Sequence, residues 1–151
     1  MATLVAELEN LVSAFEKNKI EYALCGGLAM AAHGFVRATM DIDFLIPPKF
    51  LDQALHTAAE LGFDVRGLDL SFKDGAVEIR RVSKLIGEDV LPFDLILVTP
   101  QLQEVWTARR QIDLFGEKVS VVSREGLIQM KTLSGRPQDL ADIYRLENEE
   151  D

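Results

Sequence analysis

A single cysteine, Cys25, leaves the chain no internal disulfide. With only His33 and His56 beside it, a structural zinc site has too few ligands, so any bound metal must be held by oxygen. Long hydrophobic runs are missing too. Stretches such as Leu95-Ile96-Leu97-Val98 fall far short of the roughly 20 residues a spanning helix needs. The start, Met1-Ala2-Thr3-Leu4, has neither a basic segment nor a long apolar one, so no secretion signal is read there and the cytoplasm is the expected compartment. Glycine and proline are scattered, and no repeat or low-complexity linker divides the chain. Basic side chains are scarce, 16 Lys and Arg against 25 Asp and Glu, for a net charge of −9. That balance disfavours a protein built for tight, sequence-independent binding to nucleic acid, although a local basic site stays open.

The 151 residues suit one domain, 1–151, with an acidic and frayed tail expected over 147–151. Apolar residues at 48% and charged ones at 27% match ordinary globular usage. Leu4, Val5, Leu8, Leu11, Val12 and Phe15 recur at helical spacing, predicting a first helix to about Asn18. Ile20 to Cys25 reads as a strand, Gly26-Gly27 as a turn, and Leu28 to Ala32 as a short helix ended by Gly34. Asp41 to Ile46 reads as a strand stopped by Pro47-Pro48, and a helix follows to Gly62. Leu68 to Phe72, Asp74-Gly75 and Ala76 to Ile79 predict a hairpin. Leu91 to Val98 is another strand, with Thr99-Pro100 expected to cap a helix through Arg109. Lys118 to Val122 is a strand, and helices over Ser123 to Leu133 and Pro137 to Glu147 finish the chain. The sum is an α/β (α+β) domain with a small mixed sheet flanked by helices.

Three acids stand out. Asp41 and Asp43 alternate with Ile42, Phe44 and Ile46, so both carboxylates project from one strand face, about 7 Å apart along the backbone. An Asp-x-Asp pair arises by chance about once in a chain of this composition. Its setting on a half-buried strand is what matters, because unrelieved carboxylates there are costly and a hard cation such as Mg²⁺ removes the repulsion. Asp94 interrupts an otherwise apolar strand; it either faces water from an edge strand or joins Asp41 and Asp43 at one metal site. Gly26-Gly27, between strand and helix, is either a plain tight turn or a place where backbone N–H groups approach a phosphate.

The run Tyr22-Ala23-Leu24-Cys25-Gly26-Gly27-Leu28-Ala29-Met30, followed by Asp41-Ile42-Asp43-Phe44, resembles the signature of the nucleotidyltransferase (polymerase β-like) superfamily. Within it, Gly-Gly-x-Ala and Arg37-Ala38-Thr39-Met40-Asp41-Ile42-Asp43 are similar to AbiEii-type toxin nucleotidyltransferases, and Lys131 to Asp142 is similar to their closing helices. The resemblance implies the polymerase β-like fold and a transfer of a nucleoside monophosphate from a nucleoside triphosphate to an acceptor hydroxyl. It implies that Gly26 and Gly27 hold the triphosphate and that Asp41 and Asp43 bind two Mg²⁺ ions, with Mn²⁺ as the alternative. Asp94 would be the third carboxylate and activate the acceptor, while Lys131 and Arg37 would neutralise phosphate charge. The acceptor is left open among RNA (tRNA included), protein and small molecule, as is a place in a toxin–antitoxin pair.

Two departures qualify the match. Gly27 and Leu28 stand where many members carry a phosphate-binding Ser, so that contact must come from backbone. Little chain follows the core, so the acceptor is expected to be small or to be bound with help from a partner protein or a second copy. Arg80-Arg81 with Lys84, and Arg109-Arg110, read as solvated basic clusters with acceptor phosphate contact as the lesser alternative. Asp139, Asp142 and Arg136 suit helix ends in any protein, and His33, Cys25 and Trp106 read as packing residues. Two other functions compete: a catalytically silent nucleotide-binding or partner-binding module of the same fold, and a metal-using sugar transferase, which leaves Gly26-Gly27 and Asp94 unexplained.

Overall fold

The computed structural model describes residues 3–35 and 40–149. Helix α1 (Leu4–Lys17) starts under a Thr3 hydroxyl that accepts from the Ala6 N–H, and buries Leu8, Leu11, Val12 and Phe15. Strand β1 (Ala23–Cys25) runs directly into α2 (Gly26–Ala32). No separate glycine turn precedes that helix. Gly26 is itself the bend, with φ at +69°, a left-handed value that side-chain-bearing residues avoid. β2 (Ile42–Ile46) is followed by a single 3₁₀ turn and α3 (Leu51–Glu60).

The segment from Phe63 to Leu97 forms a four-stranded run: β3 (Phe63–Arg66), β4 (Leu70–Phe72), β5 (Val77–Ile86) and β6 (Asp89–Leu97). The predicted hairpin exists as β4–β5, but β5 is ten residues long and turns at Gly87 into a second hairpin with β6. Thr99 does not cap a helix with its side chain. Its hydroxyl donates to the Ala76 carbonyl at 2.8 Å, and the helix through Arg109 shortens to a 3₁₀ turn and α4 (Gln103–Thr107). β7 (Arg110–Leu114) pairs with β8 (Glu117–Val121), then α5 (Arg124–Ser134) and α6 (Pro137–Asn148) close the described chain. Ser123 caps α5, and α6 runs into the segment expected as the acidic tail. None of the described helices is long and apolar enough to cross a membrane.

The strands form one mixed sheet, ordered β3-β5-β6-β2-β1-β8-β7, with β4 also on β5. β2 runs parallel to β6 and antiparallel to β1, which is parallel to β8. The alternation read at Asp41–Ile46 divides the two faces. Ile42, Phe44, Phe93 and Leu95 are fully buried, and Phe44 packs edge-on against Phe93 at 5.0 Å and against Phe15 of α1 at 5.2 Å. Phe63 and Tyr22 complete this aromatic cluster. Asp43 and Asp94 are left on the opposite face, where α5 and α6 border a cavity.

Candidate active site

Asp43 and Asp94 are direct neighbours in the parallel β2–β6 register, and the same row continues to Cys25 on one side and Arg81 on the other. Four side chains with chemistry therefore lie across four adjacent strands at one level. β6 is an interior strand and Asp94 is only 6% exposed, so the edge-strand alternative is excluded. Asp41 stands just before β2, two residues from Asp43. The structure brings one carboxylate oxygen from each of Asp41, Asp43 and Asp94 within 4.8 Å of the others.

Electrostatics at this cluster are strained. Burial, then the charges of Asp41 and Asp94, push the Asp43 carboxyl up to about 8 against opposing help from Lys131 and Arg81. The oxygen-only donor set, the close approach and that unrelieved repulsion all fit a hard divalent cation, Mg²⁺ or Mn²⁺. Sequence reasoning missed Arg81 as a member of the site, grouping it with Arg80 and Lys84 as a basic cluster. In the structure Arg81 donates from Nε to one Asp94 oxygen at 2.7 Å and from an η nitrogen to the other at 2.9 Å. A carboxylate offers about four acceptor positions, so this fork leaves room for a metal on Asp94. Lys84 is bound to buried Glu7 at 2.9 Å, and Arg80 to Glu78 and Asp69, so all three cations of that cluster have carboxylate partners. The Arg81–Asp94 pair follows from the cross-strand register and the Lys84–Glu7 pair from packing of α1 on the sheet; no sequence signal marks either.

Gly26 touches the cluster through what it lacks. A Cβ there would run into the Asp43 carboxylate, so the glycine is demanded both by its φ and by the acid beside it. Gly26 and Gly27 both line the cavity. Lys131 on α5 is 5% exposed and donates to Asp142 at 3.0 Å, with Asp139 at 3.7 Å. Asp142 and Asp139, read from sequence as ordinary helix-start acids, thus hold a buried lysine at the cavity's edge. Burial works against the Asp139 charge, but hydrogen bonds from Arg136 and Ser134 outweigh it and hold the carboxyl below its usual range. Cys25 is fully buried, and burial and Asp43 keep its thiol neutral, which suits the packing role read from sequence. His33 hydrogen-bonds to the Val122 carbonyl at 2.8 Å, a packing role as expected. Arg37, the other expected phosphate ligand, lies outside the described residues.

The cavity encloses about 810 Å³, within the range of small-molecule sites. It joins the three acids, the glycines and Lys131 to an apolar wall formed by β4, β5 and β6.

No protein-family model matches the chain, and none of the curated proteins matches it by sequence. Solved structures do. The chain is similar to TM1012 of Thermotoga maritima, designated a candidate nucleotidyltransferase, with a TM-score of 0.67 at 15% identity over 97% of this chain and 93% of that one. It is also similar to the antibiotic-resistance factor ANT(2'')-Ia, with a TM-score of 0.64 at 18% identity over 94% of this chain and 80% of that one. A crystal structure of ANT(2'')-Ia in complex with adenylyl-2''-tobramycin gives 0.65 at 17% identity, over 96% and 87% of the two chains. At such identities the likeness concerns architecture, and on it the chain has the nucleotidyltransferase fold.

Proposed function

We propose that this protein is a metal-dependent nucleotidyltransferase, moving a nucleoside monophosphate from a nucleoside triphosphate to an acceptor hydroxyl. One observation carries the reading: Asp41, Asp43 and Asp94 converge on one cavity face directly beside Gly26, on a fold shared with ANT(2'')-Ia. A structural role alone gives no reason to place three carboxylates this close at the cost of raising Asp43 to about 8.

Asp41, Asp43 and Asp94 would hold two Mg²⁺ ions, which when bound stabilise charge on the attacking and departing oxygens. Gly26 and Gly27 leave the backbone open to the triphosphate, with Lys131 and Arg37 as its cationic neighbours. Asp94, one strand further along the row, receives the acceptor hydroxyl's hydrogen bond and its proton, while Arg81 keeps the carboxylate turned toward the cavity. The new bond joins the acceptor oxygen to the α-phosphorus, the bond from that phosphorus to the bridging oxygen breaks, and pyrophosphate leaves. AbiEii-like character and a toxin–antitoxin role are supported only by sequence resemblance, in the runs around Gly26-Gly27 and Arg37 to Asp43 and in Lys131 to Asp142.

Incubation with each α-labelled triphosphate, Mg²⁺ and cell extract tests the activity, with the label's destination identifying donor and acceptor together. Asp41→Ala, Asp43→Ala and Asp94→Ala should each slow transfer by about 10²-fold or more while the domain stays folded. Normal transfer by any one of them would remove that residue from the site. Thermal stabilisation by nucleotide without pyrophosphate release would instead identify a silent nucleotide-binding module.

A further inference from the structure

The cavity beyond Asp94 has a chemistry of its own. On β6, Pro92 and Ile96 flank Asp94 on the same face; on β5, Val77 and Ile79 precede Arg81 on that face. Ile79 pairs with Ile96 on one side and with Leu70 of β4 on the other, while Phe72 faces Val77. Leu70, Phe72, Val77, Ile79 and Ile96 form a continuous apolar wall that is only partly covered, Leu70 being 45% exposed, while Pro92 lies on the far side of Asp94.

The charges around it narrow the occupant. Among the described residues the carboxylates lining the cavity are Asp41, Asp43, Asp94 and Asp139. The first three belong to the cluster, and Asp139 is bound by Arg136 at 2.8 Å and faces Lys131 at 3.7 Å. No described acid lies on the wall to recognise the amino groups of a polycation. The cations that line the cavity, Arg81, Lys131 and Arg136, are each paired with an acid, and the chain as a whole is at −9, which suits a polyanion poorly. The row across the strands fixes direction. Gly26, Gly27 and Asp43 lie on the β1 side and Asp94 toward β5, so a hydroxyl reaching Asp94 from outside the triphosphate region arrives over the wall.

We infer that the acceptor is a small, uncharged molecule whose hydroxyl is borne on an apolar body that lies against Leu70, Phe72, Val77, Ile79 and Ile96. This deepens, and rests on, the nucleotidyl-transfer reading. Burying such a body on this wall needs no charged partner, whereas an amino sugar or an RNA end would lose hydration there without compensation.

The neutral fluorophore N-phenylnaphthylamine tests the wall without requiring turnover. It should bind the whole protein with one-to-one stoichiometry, be displaced by naphthalenemethanol, and be unaffected by tobramycin or a short RNA. Leu70→Asp, at a half-exposed position that tolerates a charge, and Ile79→Asp should each weaken it by about tenfold or more. Unchanged binding in both variants, or displacement by tobramycin or RNA, overturns the inference. So does displacement by Mg²⁺ with α,β-methylene ATP, which would make the wall a nucleobase site. The two readings fail separately: absence of a thermal shift with Mg²⁺ and that analogue counts against nucleotidyl transfer, while the fluorophore result still decides the chemistry of the wall.

Discussion

Gly26 and Asp43 compete for the same space: a methyl group at position 26 would overlap the carboxylate at position 43. The two come from separate strand ends brought together by the antiparallel β1–β2 pairing, in which Cys25 lies opposite Asp43. Gly26→Ala should therefore cost stability twice, through its φ of +69° and through overpacking, by about 2 to 4 kcal/mol together. The double variant Gly26→Ala with Asp43→Ala should recover the overpacking share while retaining the backbone penalty. Urea unfolding of the four proteins measures the coupling; strict additivity would mean that the acid does not set the need for glycine.

Arg81 and Asp94 make the second testable contact. Asp94 is nearly buried and Arg81 is half exposed, so removing the guanidinium strands a carboxylate inside the cavity. Arg81→Met should destabilise by about 1 to 3 kcal/mol and lower transfer. Arg81→Lys should not restore activity fully, since an ammonium cannot reproduce the two-bond fork. Lys84→Met provides the contrast. It breaks an ion pair with buried Glu7, so stability should fall while transfer per folded molecule stays unchanged.

These contacts show what sequence can and cannot carry. Asp41, Asp43 and Asp94 are legible because a charge set among residues such as Ile42, Phe44 and Leu95 violates the apolar pattern of a buried strand. The order of most elements follows from the same periodicity. β3 and β7 escape it because they lie at the two ends of the sheet. β3 buries only Phe63, and β7 buries none of its residues fully, so ladder hydrogen bonds rather than an apolar stripe hold them. Arg81 and Lys84 look like one basic cluster in sequence, yet Arg81 meets Asp94 across the sheet and Lys84 meets Glu7 on α1. Their identities as partners depend on register and packing, which local pattern does not encode. Asp139 is the helix-start acid that the sequence suggests, its carboxylate accepting from the Arg136 N–H, but its further pairing, and that of Asp142, with Lys131 on the preceding helix is not legible locally.

Lys131 itself yields a third prediction. Its ammonium is buried between Asp142 and Asp139, and removing it leaves both acids without that charge. Lys131→Met should destabilise by about 3 kcal/mol or more. Asp142→Asn should keep more stability but free the lysine to move, raising the KM for the triphosphate more than it lowers kcat. A purely structural lysine would change stability and leave the KM of the folded protein untouched.

The last prediction concerns protons on Asp43. Its carboxyl is raised in the folded protein to about 8 from an ordinary 3.8, by burial first and by Asp41 and Asp94 next. The folded chain therefore binds more protons than the unfolded chain between those values, and linkage requires stability to fall as pH rises through that window. With chelator present, the melting temperature should decline from about pH 5 to pH 9 more steeply than in Asp43→Asn, which cannot ionise there. Added Mg²⁺ must displace that proton, so its affinity should rise with pH and level off above about 8, with proton uptake by the buffer seen in calorimetry. The cation's stabilising effect should accordingly grow with pH in the wild-type protein and be weak throughout in Asp43→Asn. An equal pH slope for the two metal-free proteins would place the Asp43 proton, and with it the strain at the cluster, elsewhere.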